Sequence, residues 1–256
     1  MRRGARAAMR VAAVMVVALT AGLAAARAGA QERWRFDFEN GAAISGYNDA
    51  RIPGDTGTLF SLTDDLDAET LYFWRFRAEI PLTGRQSLSV LAAPLTIDAP
   101  GTFDRTIRFM DATFAPGVPV TARYVFNSYR VSWRYDLVQN ERWRFGLGVT
   151  GKIRDAETRL DAPGLSASKT NVGFVPLVNF SLQRRLANGV TFELSGDALA
   201  APQGRAEDVF AGVLLPVGPN LSLKAGYRLL EGGADNDEVY TFAAVHYLAV
   251  GAVLRF

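Results

Sequence analysis

The chain holds one histidine and no cysteine, so few of its residues are equipped for covalent or acid–base chemistry. His246 stands in the final stretch HYLAVGAVLRF, 246–256. A histidine works as a general base when a nucleophile or orienting acid lies within hydrogen-bond reach. On an extended strand such a partner would sit two residues away, because alternate side chains share a face. That position holds Leu248, and the nearby hydroxyls of Thr241 and Tyr247 fall on the opposite parity. The loop EGGADNDEV gathers Glu231, Asp235, Asp237 and Glu238, oxygen ligands of the kind that hold calcium. Their spacing is not that of a twelve-residue EF-hand, so an exposed acidic loop is the simpler reading and His246 and these acids remain weak candidates. The glycines of GLGVTGK (146–152) sit inside an alternating strand with no helix after them, unlike a phosphate loop. Without cysteine there is no disulfide framework or thiol site, and no cofactor is implied.

The richest polar feature is a set of charges alternating with apolar residues. In RWRFDFENGAAIS, Arg35, Asp37 and Glu39 lie opposite Trp34, Phe36, Phe38, Ala42 and Ile44. LYFWRFRAEI sets Arg75, Arg77 and Glu79 against Tyr72, Trp74, Phe76, Ala78 and Ile80, and RWRFGLGVTGKIR places Arg144 and Lys152 opposite Trp143, Phe145 and Leu147. By the same parity Arg130, Arg134, Glu193, Asp197, Lys224 and Arg228 join the charged face. Period-two alternation marks strands with two unlike faces.

Ten such segments are expected near 32–45, 68–80, 86–98, 120–137, 142–154, 170–185, 190–201, 207–216, 221–231 and 239–256. The third and eighth alternate least cleanly, which keeps a count of eight as the alternative. Short turns (PLTGRQ, LVQNER, RLANGV with its Asn188-Gly189, and PVGPNL) take turns with links at 46–67, 99–119, 155–169, 202–206 and 232–238, mostly longer. The fragment ERWRF opens a strand at 32–36 and again at 141–145.

The N-terminus has the three-part layout of a secretory signal peptide: basic MRRGARAAMR, apolar 11–26, and small residues Ala28-Gly29-Ala30 before an expected cleavage. Its loss removes five arginines and no acid. That leaves 23 basic against 26 acidic residues, and the formal net charge moves from +2 to −3. A nucleic-acid partner then loses its electrostatic basis. Residues 31–256 are expected to form one domain.

The final strand carries Leu248, Val250, Ala252, Leu254 and Phe256 on one face, ending on an aromatic. This stripe resembles the C-terminal assembly signal of bacterial outer-membrane β-barrel proteins, and the layout of the whole mature chain is similar to theirs. The resemblance implies an all-β, antiparallel, up-and-down transmembrane barrel of ten strands in a Gram-negative outer membrane, with periplasmic termini. It also implies contact with outer-membrane lipid and lipopolysaccharide, and with the barrel-assembly machinery. An Arg or Lys facing lipid at the midplane costs about 2–4 kcal/mol, so the charged face must line the lumen. The expected function is a scaffold or a narrow channel, with its basic excess favouring anions. The alternative is an outer-rim lipid or peptide hydrolase using His246. Lipid A deacylases and outer-membrane phospholipases place a serine where this chain has Leu248. An omptin-like protease would need His246 to turn inward toward Asp235 or Asp237. Beside Tyr240 and Phe242, His246 otherwise reads as an interfacial ring.

Overall fold

The computed structural model describes residues 34–202 and 204–256, and the expected signal peptide lies outside them. The chain is built from β1 (Arg35–Arg51), β2 (Phe60–Ser61), β3 (Leu71–Thr83), β4 (Gln86–Ala93), β5 (Thr96–Thr102), β6 (Ile107–Phe109) and β7 (Ala112–Phe114), followed by β8 (Pro119–Gln139), β9 (Trp143–Ala162), β10 (Leu165–Arg185), β11 (Thr191–Ala201), β12 (Gly204–Pro216), β13 (Leu221–Asp235) and β14 (Tyr240–Arg255). Among the described residues there is no helix.

β4 and β5 both pair with β8 and form one interrupted stave, while β2, β6 and β7 belong to loops. Ten antiparallel staves result, and pairing of β1 with β14 from Arg35↔Arg255 to Arg51↔Tyr240 closes them into a barrel. The expected count of ten is the observed one. Closure leaves no lateral sheet edge where the first and last strands meet.

Alternation then decides which side chain goes where. Aromatic and aliphatic residues face outward and stay exposed, with Tyr72 at 69% and Leu248 at 61%. Their charged neighbours point inward and are buried, Arg130 and Lys152 at 2% each. A soluble sheet buries its apolar face and solvates its charged one. Here the arrangement is inverted.

The structure corrects the expected layout in three places. The link expected at 155–169 is strand: β9 and β10 pair up to Ala162↔Leu165 around Pro163-Gly164, with Gly164 at φ 76°. Its polar residues read as loop, yet they form a hairpin standing above the shorter strands. The link at 202–206 is likewise tight, because β12 already begins at Gly204. In β1 the register shifts between Ser45 and Tyr47, so the inward parity changes from Asp37, Glu39 and Ala43 to Asn48 and Ala50. A bulge of one extra residue produces that change of phase.

The two long links, 52–70 and 103–118, pack over the barrel mouth on a core of their own. Phe60 lies edge-on to both Phe103 and Phe109, at centroid distances of 5.7 and 5.8 Å. Ile52, Leu62, Leu66, Ile107 and Phe114 complete that core, which rests on Val120, Ala122 and Leu160 of the barrel rim. Arg105 ties the two links together through a two-point ion pair to Asp65, at 2.7 and 2.8 Å, and a bond to the Leu59 carbonyl. This guanidinium holds the Asp65 carboxyl below its ordinary range.

Candidate functional site

The lumen is filled by ion pairs. Starting at one end, Glu193 binds Arg35 (3.0 Å), Arg35 binds Asp37 (3.0 Å), and Lys224 bridges Asp37 (3.1 Å) to Glu39 (2.8 Å). Arg228 continues the path from Glu39 (2.6 Å) to Asp208 (2.5 Å). Asp208 is the hub: it also accepts from Arg75 at 2.6 Å and from Arg130 at 2.5 Å, and Arg130 goes on to Asp197 at 2.7 Å. A second group links Glu79, Arg134, Asp136 and Arg144. Neutral side chains are drawn in as well. Thr150 donates to Asp197 while Asn179 donates to the same oxygen from the other side.

All fourteen charges expected in the lumen lie on inward parity, and twelve of them join these groups, Arg144 at a half-exposed end. Among the described residues Arg77 makes no ion pair and reaches the Ser89 hydroxyl at 3.5 Å. Lys152 stands apart from the ion pairs, with its ammonium 4.4 Å from the Phe126 ring. Sequence reasoning missed two acids. Asp136 shares the parity of Arg130 and Arg134, a signal that was readable. Asp208 precedes VFAGVLLPV, where the inward Phe210 and Leu214 blur the alternation. With both counted, the basic excess in the lumen is smaller than the sequence suggested.

Ten staves enclose little more space than the eight that side chains just fill. Within the ionic layer the cavity between Arg35, Glu79, Arg134, Glu193, Lys224 and Arg228 measures about 20 Å³. Above it an apolar layer follows, with Phe73 edge-on to Tyr247 at 4.7 Å and Phe210 fully buried. Higher still, toward the outer end, the lumen opens into a cavity of about 800 Å³ lined by residues that include Tyr124, Phe126, Lys152, Leu230 and Val245, with Ile52 and the 236–239 turn at its edge.

The other candidates are not assembled into sites. His246 lies on the outward face with Nδ1 2.5 Å from the Tyr227 hydroxyl, and its ring covers Gly46. The inward turn that an omptin-like site requires does not occur. Glu231 is bound by Arg205 and Tyr47, and Glu238 by Lys169. Among the described residues no group of three or more His, Cys, Asp or Glu is placed to hold a metal ion, so Glu231, Asp235, Asp237 and Glu238 do not converge. On the outward stripe, Phe256 packs edge-on against Phe36 at 6.0 Å, where the first and last strands meet.

This architecture, with an apolar exterior, a closed sheet and an ionic interior, defines an outer-membrane β-barrel fold. Solved structures agree. The chain is similar to the outer membrane protease OmpT from Escherichia coli, at 11% identity and TM-score 0.50, over 88% of this chain and 97% of that one. It is also similar to Ail, the attachment invasion locus protein of Yersinia pestis, at 12% identity and TM-score 0.37 over 87% and 98%. Neisserial surface protein A gives 16% identity and TM-score 0.35 over 88% and 100%. No family model matches the chain, and no curated protein does. At 11% identity the likeness to the protease is one of fold alone.

Proposed function

We propose that this protein is a bacterial outer-membrane scaffold whose lumen is closed to ions by a salt-bridge plug and whose outer end presents a loop-roofed cavity. The observation that carries the reading is the buried ionic path from Glu193 to Asp197 through the Asp208 hub, in which every acid is shared among cations or neutral donors. Conduction needs sites an ion can enter and leave. Side chains locked in mutual pairs offer none, and the space of about 20 Å³ among them has room for about one water. The exposed apolar band supports the membrane placement, since only lipid makes such an exterior favourable around a charged interior. The tight connections at 84–85, 140–142, 186–190 and 217–220 support putting that end, with both termini, in the periplasm. Outer-membrane lipid then meets the band, and lipopolysaccharide meets the rim around Tyr240 and Phe242.

Planar-bilayer recording of the refolded barrel over a range of salt concentrations tests this directly. A folded, heat-modifiable protein that produces no discrete steps is the expected outcome. Regular steps with anion preference would replace the plug with a narrow channel through the basic residues.

A further inference from the structure

The wall around the outer cavity is not continuous. β10 pairs with β9 along its whole length, from Arg184↔Trp143 up to Leu165↔Ala162. Its pairing with β11 on the other side runs only from Arg185↔Thr191 to Val178↔Ala198. Just above that point stands Pro176, which has no N–H to give a neighbouring strand. From there upward, among the described residues, β10 has no strand partner on its β11 side, while β11 continues through Leu199 to Ala201 paired with β12. Val175, Pro176, Leu199 and Ala201 on the two sides of this seam all line the 800 Å³ cavity.

The seam lies at membrane depth. Counting from Thr191, Ala198 is roughly 16 Å up the barrel and Ala201 roughly 23 Å, at about 3.3 Å per residue and a 45° tilt. The apolar band of such barrels is about 25 Å tall. Unpaired backbone at that depth is tolerated only where it lines a cavity. The outward side chains beside the seam are apolar: Phe174 is 67% exposed, and Val178 and Ala200 are exposed as well.

The cavity floor carries two basic side chains that make no ion pair among the described residues. Lys152 is 98% buried, and its ammonium faces the Phe126 ring. Among the described residues it makes no ion pair. Its cross-strand neighbours are Arg130, already held by Asp197 and Asp208, and Val175. Arg154, the next inward residue on β9, donates to the Asn171 amide oxygen, and its buried Nε has no partner. Of the four lining acids, Glu231 and Glu238 are taken by Arg205 and Lys169, Glu157 has the opposite parity on β9 from Lys152, and Asp237 stands in the turn between β13 and β14. A buried ammonium without an anion is costly. A bound anionic group at this floor would supply the missing partner, and the apolar walls above it suit a hydrocarbon.

We propose that the outer cavity binds a single-chain anionic amphiphile, with its head group on Lys152 and Arg154 and its chain passing through the β10–β11 seam toward the outer leaflet. The volume lies within the 300–1,000 Å³ range of small-molecule sites. The inference rests on the barrel spanning the membrane with this end outward, and the plug below makes the cavity a binding site with no through-path.

The test uses the full barrel refolded into phosphatidylcholine nanodiscs, with heat-modifiable migration confirming the fold and insertion first. Laurate, dodecyl phosphate and uncharged dodecanol are titrated in turn, and a parallel arm replaces part of the bilayer with an anionic phospholipid. Saturable binding of the two anions about tenfold or more tighter than dodecanol is expected, as befits a hydrogen bond to a charged group. Lys152→Met should remove that preference, and Lys152→Arg should restore most of it. Arg154→Gln gives a milder second variant should Lys152→Met fail to fold. A laurate analogue with a photoreactive tail should label 172–178 and 198–201. Competition by the anionic bilayer lipid would name the membrane itself as the source of the ligand, and its absence a free amphiphile. A folded, inserted barrel that binds dodecanol as tightly as laurate, or is labelled evenly around its apolar belt, would overturn the proposal while leaving the plugged scaffold intact.

Discussion

Asp208 shows how much one buried carboxylate can hold. Three guanidiniums, from Arg75, Arg130 and Arg228, converge on its two oxygens from three different strands. Removing one partner from a buried ionic cluster strands the remaining charges, at a cost of about 3–5 kcal/mol. Asp208→Asn keeps the shape and the acceptor oxygen but removes the charge, so it should lower the unfolding free energy of the refolded barrel, read from urea titration, by an amount in that range. Asp98→Asn is the matched comparison, because Asp98 pairs with the exposed Arg123. Solvent screening there limits the effect to less than about 1 kcal/mol. Equal shifts for the two variants would mean that the lumen charges are solvated and do not form a plug. His246 makes the contrast from the other side. Among the described residues its side-chain hydrogen-bond partner is the Tyr227 hydroxyl, so the type of residue suggested chemistry that its surroundings do not support.

At the scale of elements, legibility followed amphipathicity. Most strands that cross the apolar band alternate strongly, because lipid outside and charge inside favour that arrangement, as at 71–80 and 142–154, whereas β4 and β12 alternate less cleanly and the inward Phe210 and Leu214 hid Asp208. Above the band both faces of a hairpin can be polar, so β9 and β10 continue through Ser166, Ser168 and Lys169 where the sequence reads as loop. The bulge at Ser45–Tyr47 left no trace in composition. Nor did the loop core, since Phe60, Phe103 and Phe109 come from distant links with no shared period. The Asp65–Arg105 pair that joins those links gives them a pH dependence with a defined sign. The carboxyl is held below its ordinary value, so its contribution is fully present above about pH 4 and fades as pH falls through the lowered value. Because Arg105 is largely exposed, the contribution is at most about 1 kcal/mol, enough to loosen the links and too little to open the barrel. Trypsin cleavage after Arg105 at pH 7 should therefore accelerate several-fold in Asp65→Asn, while the heat-modifiable migration is unchanged. Hydrogen exchange in 52–70 of the wild-type protein should approach that of the variant below about pH 4. Identical cleavage of the two proteins at neutral pH would assign the docking of the links to the phenylalanine core alone.

For the molecule as a whole, closure is the decisive event, because until β1 meets β14 the barrel has two free edges that lipid does not tolerate. The contact is tight. Gly251 lies directly against β1, and a Cβ placed on it would stand 2.0 Å from the Phe38 carbonyl oxygen. Gly41, on the facing strand at φ 142°, leaves an equally short 2.1 Å to the Leu248 carbonyl. Both clashes are with backbone, which cannot swing aside as a flexible side chain could. A β-branched residue at 251 must therefore push the two strands apart at the level where Glu39 binds Lys224 and Arg228, so the damage reaches the plug as well as the wall. Gly251→Val should refold poorly or not at all, giving little or none of the heat-modifiable species. Gly218→Val is the control: a Cβ there meets only the Leu221 side chain at 4.0 Å in a turn between β12 and β13, and its yield should match the wild type. If Gly251→Val instead folded fully and remained non-conducting, the first and last strands would be closing with more slack than this geometry allows. The plug would then have to be held by β8 to β13 without the help of closure. If it folded but conducted, the same substitution would have separated the wall from the plug and shown that the ionic path depends on the seal between the chain's two ends.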